Sequence, residues 1–367
     1  MDRAKVLRNK IVPHEGLSFD DLLLLPNYTD FKRQDVDLTT TLHKKIVLKL
    51  PIISSPMDTV TEEKMARAMA KGGGLGIIHR NLSIEKQATA VKKIKKDGLL
   101  VGAAVGSGSD LKERTEALIK AGVDVVCIDS GHGHSKFIID ALKYIKTRYP
   151  KQVVMAGNVA TYEGAKALIK ARADILRVGM GPGSICTTRI ISGMGTPQVT
   201  AISEAVRATI GTNVTVIADG GIKQIGDIAK ALGLGASAVM LGSLLAKREE
   251  APGKVITVGG KKYKTYRGMG STSAMNQGSA ERYGQQTNGK KQLIAEGVEG
   301  LVLYHGTVED FLYQIDGSLR SSFYYLGSRT ITEFFQKARF IKITSAGFVE
   351  SHPHSIVIAD PGKNYIK

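Results

Sequence analysis

The chain has 367 residues, 43% hydrophobic and 23% charged, which allows a sizeable core and excludes wholesale disorder. Its 51 Lys and Arg against 34 Asp and Glu leave a formal charge of +17, suited to anionic ligands, but the basic residues are scattered without aromatic interleaving, so a solvated helical surface is favoured over nucleic acid. No apolar stretch approaches the ~18 residues of a membrane span, the basic N-terminus leads into no signal segment, and two cysteines are too few for a disulfide framework, so the expected setting is a reducing cytoplasm.

Residues 1–50 precede the first apolar run and read as an N-terminal extension covering one end of the domain. Eight short apolar runs follow: PIISSP (51–56), GLGIIH (74–79), LLVGAAVG (99–106), VDVVCIDSG (123–131), QVVMAGN (152–158), DILRVGMG (174–181), VTVIADGG (214–221) and ASAVMLGS (236–243). Segments of helical period separate them, over 61–71, 83–96, 109–121, 135–148, 161–172, 198–209 and 224–233. Near-continuous apolar runs are what strands buried on both faces look like. Every run ends in small or polar residues: Ser54–Ser55, His79, Gly106, Asp129–Ser130, Asn158, Gly179–Gly181, Asp219–Gly221 and Gly242–Ser243. A barrel gathers such ends at its C-terminal mouth, where active sites are built. Turn chemistry explains a Gly or two, less readily an Asp and a His. The pattern favours an α/β TIM (β/α)8 barrel over a doubly wound sheet, as one domain over 1–367.

After the eighth run, KVITVGGKKYKTY (254–266) alternates around Gly259–Gly260 and predicts a hairpin. RGMGSTSAMNQGSAERYGQQTNGKK (267–291) is polar and Gly-rich with neither period, which marks a lid, a functional loop or disorder. Hairpin and mobile flap together make an insertion over 254–300. Helical period returns over 307–338, ahead of a C-terminal tail.

Three run ends carry chemistry. GMGPGSICTTRIISGMG (179–195) places Cys186 among Ser184, Thr187, Thr188 and Arg189 in a loop whose glycines allow close backbone approach. A nearby cation would favour a nucleophilic thiolate there; an inert loop cysteine is the other reading. Cys127, inside VVCID, reads as core. IADGGIK (217–223) and MLGSLL (240–245) end the seventh and eighth runs, where barrels commonly bind phosphate; Asp219 beside them suits a ribose diol, and ordinary turns are the alternative. DSGHGHS (129–135) offers His132 and His134, read as ligand contacts or turn residues rather than a zinc pair. Arg282–Tyr283 sets a cation beside a phenol in the flap, alone a weak signal.

GLSFDDLLLLP, SSPMDTVTE, GGGLGIIHRN, LLVGAAVG, DSGHGHS, VGMGPGSICTTR, IADGGIK, YRGMGS, AEGVEG and TSAGFVESHPHS, in order from about residue 12 to 356, together resemble the inosine 5′-monophosphate (IMP) dehydrogenase family. The resemblance implies oxidation of IMP to xanthosine 5′-monophosphate by NAD⁺ and water, the committed step toward guanine nucleotides. It implies a Cys186 that attacks purine C2, a flap that closes over the vacated dinucleotide site, Arg282 as water-activating base with Tyr283 as partner, and Thr188 as a proton relay. An arginine base is awkward at a solution pKa above ~12, and calls for a neutral fraction or a relay. IMP binding carries over to Ser184, Asp219, Gly220, Gly221, Gly242, Ser243, Tyr266, Arg267, Gly268, Met269, Gly270 and Glu296. NAD binding carries over to Asp129, Ser130, Gly131, Gly179, Met180 and Gly181. A potassium ion would be caged by carbonyls of Gly181, Gly183 and Cys186 with Glu350, Ser351 and His352 of a neighbouring chain, which implies a homo-oligomer, expected as a tetramer.

The family's usual pair of CBS regulatory modules has no counterpart, since KKIKKDGLLVGAAVG (92–106) joins helix to strand directly. DGSLRSSFYYLGS (316–328) stands where the family carries a Gly-rich segment, and its bulkier Phe323 and Tyr324 bear on subunit packing and on the dinucleotide's adenosine end. Two rivals are a sibling GMP reductase, which usually lacks the Arg-Tyr pair and the ESHPH-like tail, and a non-catalytic nucleotide- or nucleic-acid-binding barrel.

Overall fold

The computed structural model describes residues 10–285, 292–362 and 365. Eight parallel strands occupy the eight predicted runs: β1 (Ile52–Ser54), β2 (Leu75–Ile78), β3 (Gly102–Val105), β4 (Val125–Asp129), β5 (Val153–Val159), β6 (Ile175–Val178), β7 (Thr215–Asp219) and β8 (Ala238–Leu241). They pair in sequence order and β8 pairs back onto β1, closing the barrel. The predicted helices form as α1 (Glu63–Lys71), α2 (Ile84–Lys96), α3 (Leu111–Lys120), α4 (Lys136–Arg148), α5 (Tyr162–Lys170), α6 (Gln198–Thr209) and α7 (Ile225–Gly233). An eighth, α8 (Val308–Leu326), packs between α7 and α1 and completes the ring. Side-chain caps fix several starts: the hydroxyls of Ser83, Thr161 and Thr307 accept the amides of Lys86, Gly164 and Asp310. Residues 97–101 alone separate α2 from β3.

Each apolar run conceals a period of two. Ile53, Ile77, Ala104, Val125, Cys127, Met155, Ile175, Ile217 and Met240 face one another inside the barrel. The alternate residues, among them Val126, Ile128, Leu176, Val178, Ala218 and Val239, belong to the cluster that the helices cover. Cys127 is therefore lumen packing, and burial pushes its thiol up to about 12. One step further along the inward register, β4, β6 and β7 present Asp129, Arg177 and Asp219.

The N-terminal extension covers one end, as expected. Its hairpin, Thr40–His43 against Ile46–Leu48, inserts Leu42, Ile46 and Leu48 into the lumen cluster. Thr40 Oγ1 donates to the Ser237 carbonyl at 2.7 Å, and Thr215 Oγ1 to that of Leu42 at 2.9 Å. These contacts sit at the N-terminal end of the strands, so the opposite end remains as the mouth.

Beyond β8, the predicted hairpin forms from β9 (Val255–Val258) and β10 (Lys261–Arg267). Its turn residues Gly259 and Gly260 have φ of 54° and 73°, the left-handed region that a tight two-residue turn requires. A third strand, β11 (Glu299–Leu303), pairs antiparallel with β10 and was not separated from the flap by sequence pattern. The flap itself departs from the aperiodic expectation: Thr272–Ala274, Met275–Ser279 and Ala280–Tyr283 are short helical turns broken at Gly278, where φ is 122°. Turns this short show no amphipathic period. Flap residues 286–291 lie outside the described residues.

The tail returns to the start of the chain, with Phe340–Lys342 antiparallel to Leu22–Leu24. Phe323 is fully buried and stacks on Phe334 at 4.2 Å, so that departure from the family pattern packs core. No helix among the described residues is long and apolar enough to cross a membrane.

Candidate active site

A cavity of about 1190 Å³ opens at the C-terminal mouth. Its wall includes most residues that the sequence singled out: Asp129–Gly131, Gly179–Gly181, Gly183, Ser184, Cys186, Thr188, Asp219–Gly221, Gly242, Ser243, Tyr266, Gly268, Met269, Arg282, Tyr283 and Glu296.

Cys186 is held on a loop sewn to the flap sheet. Its amide donates to the Gly183 carbonyl at 3.1 Å, Thr187 N–H to Glu296 O at 3.0 Å, and Val298 N–H to Ile185 O at 3.0 Å. Its Sγ lies 3.2 Å from Thr188 Oγ1. The thiol is partly exposed to the cavity, unlike buried Cys127. The loop starts at Gly179, where φ is 147° and an added Cβ would meet the Asp219 carbonyl at 2.2 Å. Only glycine lets β6 and β7 approach so closely there. The Arg189 guanidinium donates to the carbonyls of Met180 and Thr196, which braces the loop, and lies close enough to interact electrostatically with Cys186.

Across the cavity, the last inward layer of the barrel is a buried charge network. Arg177 donates to Asp129 through Nη1 and to Asp219 Oδ2 through Nε at 2.9 Å. Asn158 Nδ2 donates to the same Asp219 oxygen at 2.7 Å and to the Gly179 carbonyl at 2.8 Å. Arg282 Nη1 closes the network on Asp129 Oδ1. Burial would raise the Asp129 carboxyl, but Arg282, Arg177 and Arg80 outweigh it and hold it at about 2. Burial works against charge on Arg282 too, and is outweighed by Asp129, so its pKa rises. Burial lifts the phenols of Tyr283 and Tyr266. Arg177 and Asn158 were missed as site residues. Their signal was available: an arginine at an inward position of an apolar strand needs carboxylates, and Asn158 ends β5 as Asp129 ends β4.

The flap lies down over the mouth. Gly131 N–H donates to the Arg282 carbonyl at 3.0 Å. Glu281 accepts from the Ser107 amide at 3.1 Å and from Arg80 Nη1 at 3.4 Å. The turn at 280–283 thus covers Asp129–Gly131, the residues marked for the dinucleotide. Arg282 Nε is buried without a hydrogen-bond partner among the described residues, which leaves a donor for a reacting oxygen.

Three groups of candidates, Arg267, Gly270 and Glu350–His352, are not part of the cavity wall. The Arg267 guanidinium turns away to Asp58, at 3.1 and 2.6 Å, and to Ser273 and Gln277, so its side chain serves the base of the flap. Gly270 packs against the Tyr283 ring and its carbonyl accepts Glu296 N–H at 2.9 Å. Glu350, Ser351 and His352 sit at the end of a C-terminal helix, with no hydrogen bond or ion pair to the Cys186 loop among the described residues. His132 lines the cavity 6.4 Å from the His134 ring, and no group of three His, Cys, Asp or Glu among the described residues could hold a metal.

A family model described as the IMP dehydrogenase / GMP reductase domain matches residues 16–354. The inosine-5′-monophosphate dehydrogenases of Cryptosporidium parvum and Borreliella burgdorferi are each 43% identical to the chain, over 96% and 95% of it and 98% of their own length. That of Aquifex aeolicus is 39% identical over 96% of this chain and 98% of its own. The Aquifex alignment spans 480 positions against 367 residues, so that relative carries internal sequence without a counterpart here. With a closed eight-stranded barrel, a cysteine loop at its mouth and matches over nearly its whole length, the chain belongs to the IMP dehydrogenase / GMP reductase family.

Proposed function

We propose that the chain oxidises IMP to xanthosine 5′-monophosphate, with NAD⁺ as hydride acceptor and water as second reactant. The observation that carries this reading is the meeting, around one cavity, of a solvent-accessible Cys186 thiol, the Thr188 hydroxyl 3.2 Å from it, and the Arg282–Tyr283 turn opposite. Ser184, Asp219–Gly221, Gly242, Ser243, Tyr266, Gly268, Met269 and Glu296 would seat the nucleotide, with Asp219 on the ribose and Glu296 on the base edge. Cys186 sulfur then bonds to C2 of the purine. NAD⁺, held by Asp129–Gly131 and Gly179–Gly181, supplies the acceptor for the hydride that C2 loses.

The remaining C2–S thioimidate must be hydrolysed: water adds at C2, the C–S bond breaks, and the thiol is regenerated. The flap position supports this second half, because the Arg282–Tyr283 turn stands over Asp129–Gly131. While Asp129 holds it, the Arg282 guanidinium is a fixed cation. It orients the water and stabilises negative charge through its free Nε–H, and the water's proton passes by way of Thr188 to the departing Cys186 sulfur, which regenerates the thiol.

A potassium ion on the carbonyls of Gly181, Gly183 and Cys186 suits a large, weakly hydrated cation, but needs donors beyond one chain. Glu350–His352 of a second copy would supply them, in a homotetramer. Exposed Ile190 and Met194, 82% and 63% accessible on the outer side of the Cys186 loop, support a covered surface there. Direct passage from α2 to β3 supports a chain without the usual regulatory modules.

The test is NADH absorbance on mixing the protein with IMP and NAD⁺. Turnover in the wild type and none in Cys186→Ala, with a covalent purine adduct only in the former by mass spectrometry, is the expected result. A signal seen only with GMP and NADPH would replace this reading by the reductase.

A further inference from the structure

Charges on the cavity wall pair off, with two exceptions. Asp129 and Asp219 are neutralised by Arg177 and Arg282, Arg80 meets Glu281, and Lys223 meets Asp20. Lys247 and Glu296 are left, each lining the cavity and neither bonded through its side chain to a described residue. Lys247 directly follows the short helix Ser243–Ala246, which is capped by Gly242 after β8, and it lines the same cavity as Gly242, Ser243 and Tyr266.

The charge that acts on Lys247 itself is positive, while the carboxylates of Glu250 and Asp310 act on its neighbour Arg248. Its neighbour Arg248 is buried, donates to the carbonyls of Leu244 and His305, and lies 4.0 Å over the Phe311 ring. Burial, and then Arg248, push the Lys247 ammonium below its ordinary range. Burial, with Lys247 and Arg248, likewise favours a neutral His305. A partly buried ammonium without a counter-ion is unfavourable until an anion arrives.

We infer that Lys247 is a substrate-binding residue that takes the phosphate monoester of the nucleotide, completing the cradle of Gly220–Gly221 and Gly242–Ser243. The inference rests on the nucleotide reading above and assigns the cavity's spare cation to the 5′-phosphate, as its spare anion, Glu296, is assigned to the base. A dianion at one end and an N–H donor at the other match the two unpaired groups.

Lys247→Met is expected to raise KM for IMP by about 10- to 100-fold with a much smaller change in kcat, as for loss of a charged hydrogen bond made equally in ground and transition states. Competitive inhibition by ribose 5-phosphate should weaken by the same factor, inhibition by inosine should keep its strength, and Lys247→Arg should restore most of both losses. Unchanged KM and unchanged ribose 5-phosphate inhibition would overturn the assignment. So would weakening of inosine by the same factor, which signals general damage to the site. If the wild type does not turn over IMP, the proposed function fails, and calorimetric titration of both proteins with ribose 5-phosphate still decides the role of Lys247.

Discussion

Arg282 sits in an environment that keeps it charged, which bears on what it can do. Its partner Asp129 is depressed to about 2, so their attraction is complete above the ordinary carboxylate value of 3.8 and is lost only as pH falls toward 2. At neutral pH the guanidinium positions and polarises rather than accepts a proton. Arg282→Ala is therefore expected to slow hydrolysis by about 10²-fold or more while leaving the first hydride transfer intact. Stopped-flow absorbance would then show an undiminished burst of NADH followed by a slow phase; loss of the burst would move Arg282 into the redox half. That Cys186, Thr188, Arg282 and Tyr283 line one cavity was legible because each lies in a short, distinctive phrase. Arg177 and Lys247 were not, because their meaning depends on which way a strand or helix residue faces and which charges it meets there. The phrase around Arg267 is distinctive too, but it could not show that Asp58 draws the Arg267 side chain away from the cavity.

Strands and helices were almost wholly legible, because runs buried on both faces and helices of regular period announce themselves. The strand β11 and the flap turns were not, since EGLVL is short and follows a polar loop, and the flap turns owe their shape to what they touch. Glu281 is the clearest case. It docks the turn on Ser107 N–H and Arg80, and its carboxylate is 39% exposed, so the link is worth only about 1 kcal/mol after solvent screening. That is still a several-fold shift in how often the flap lies down. Glu281→Ala should thus slow hydrolysis several-fold with little change in hydride transfer, and the covalent adduct trapped by acid quench in the steady state should rise. An unchanged adduct level would show that Gly131 N–H holds the turn unaided.

On the scale of the whole molecule, the formal charge of +17 remains spread over the surface, apart from the local excess at Lys247 and Arg248. The proposed potassium cage would span two copies, so cation and assembly are linked: whichever stabilises one stabilises the other. Exchanging K⁺ for Li⁺ should lower turnover by about tenfold or more, and light scattering should show mass reverting to K⁺-dependent oligomers on its return. Turnover indifferent to the exchange would count against the cage. One consequence follows from Leu42, Ile46 and Leu48, wedged into the foot of the cylinder. Such a cork leaves the C-terminal mouth as the doorway among the described residues, and the Arg282 turn stands over it. On the proposed reaction this imposes a queue: the spent redox partner must step out before the turn covers Asp129–Gly131, and the finished nucleotide must wait beneath until the turn lifts.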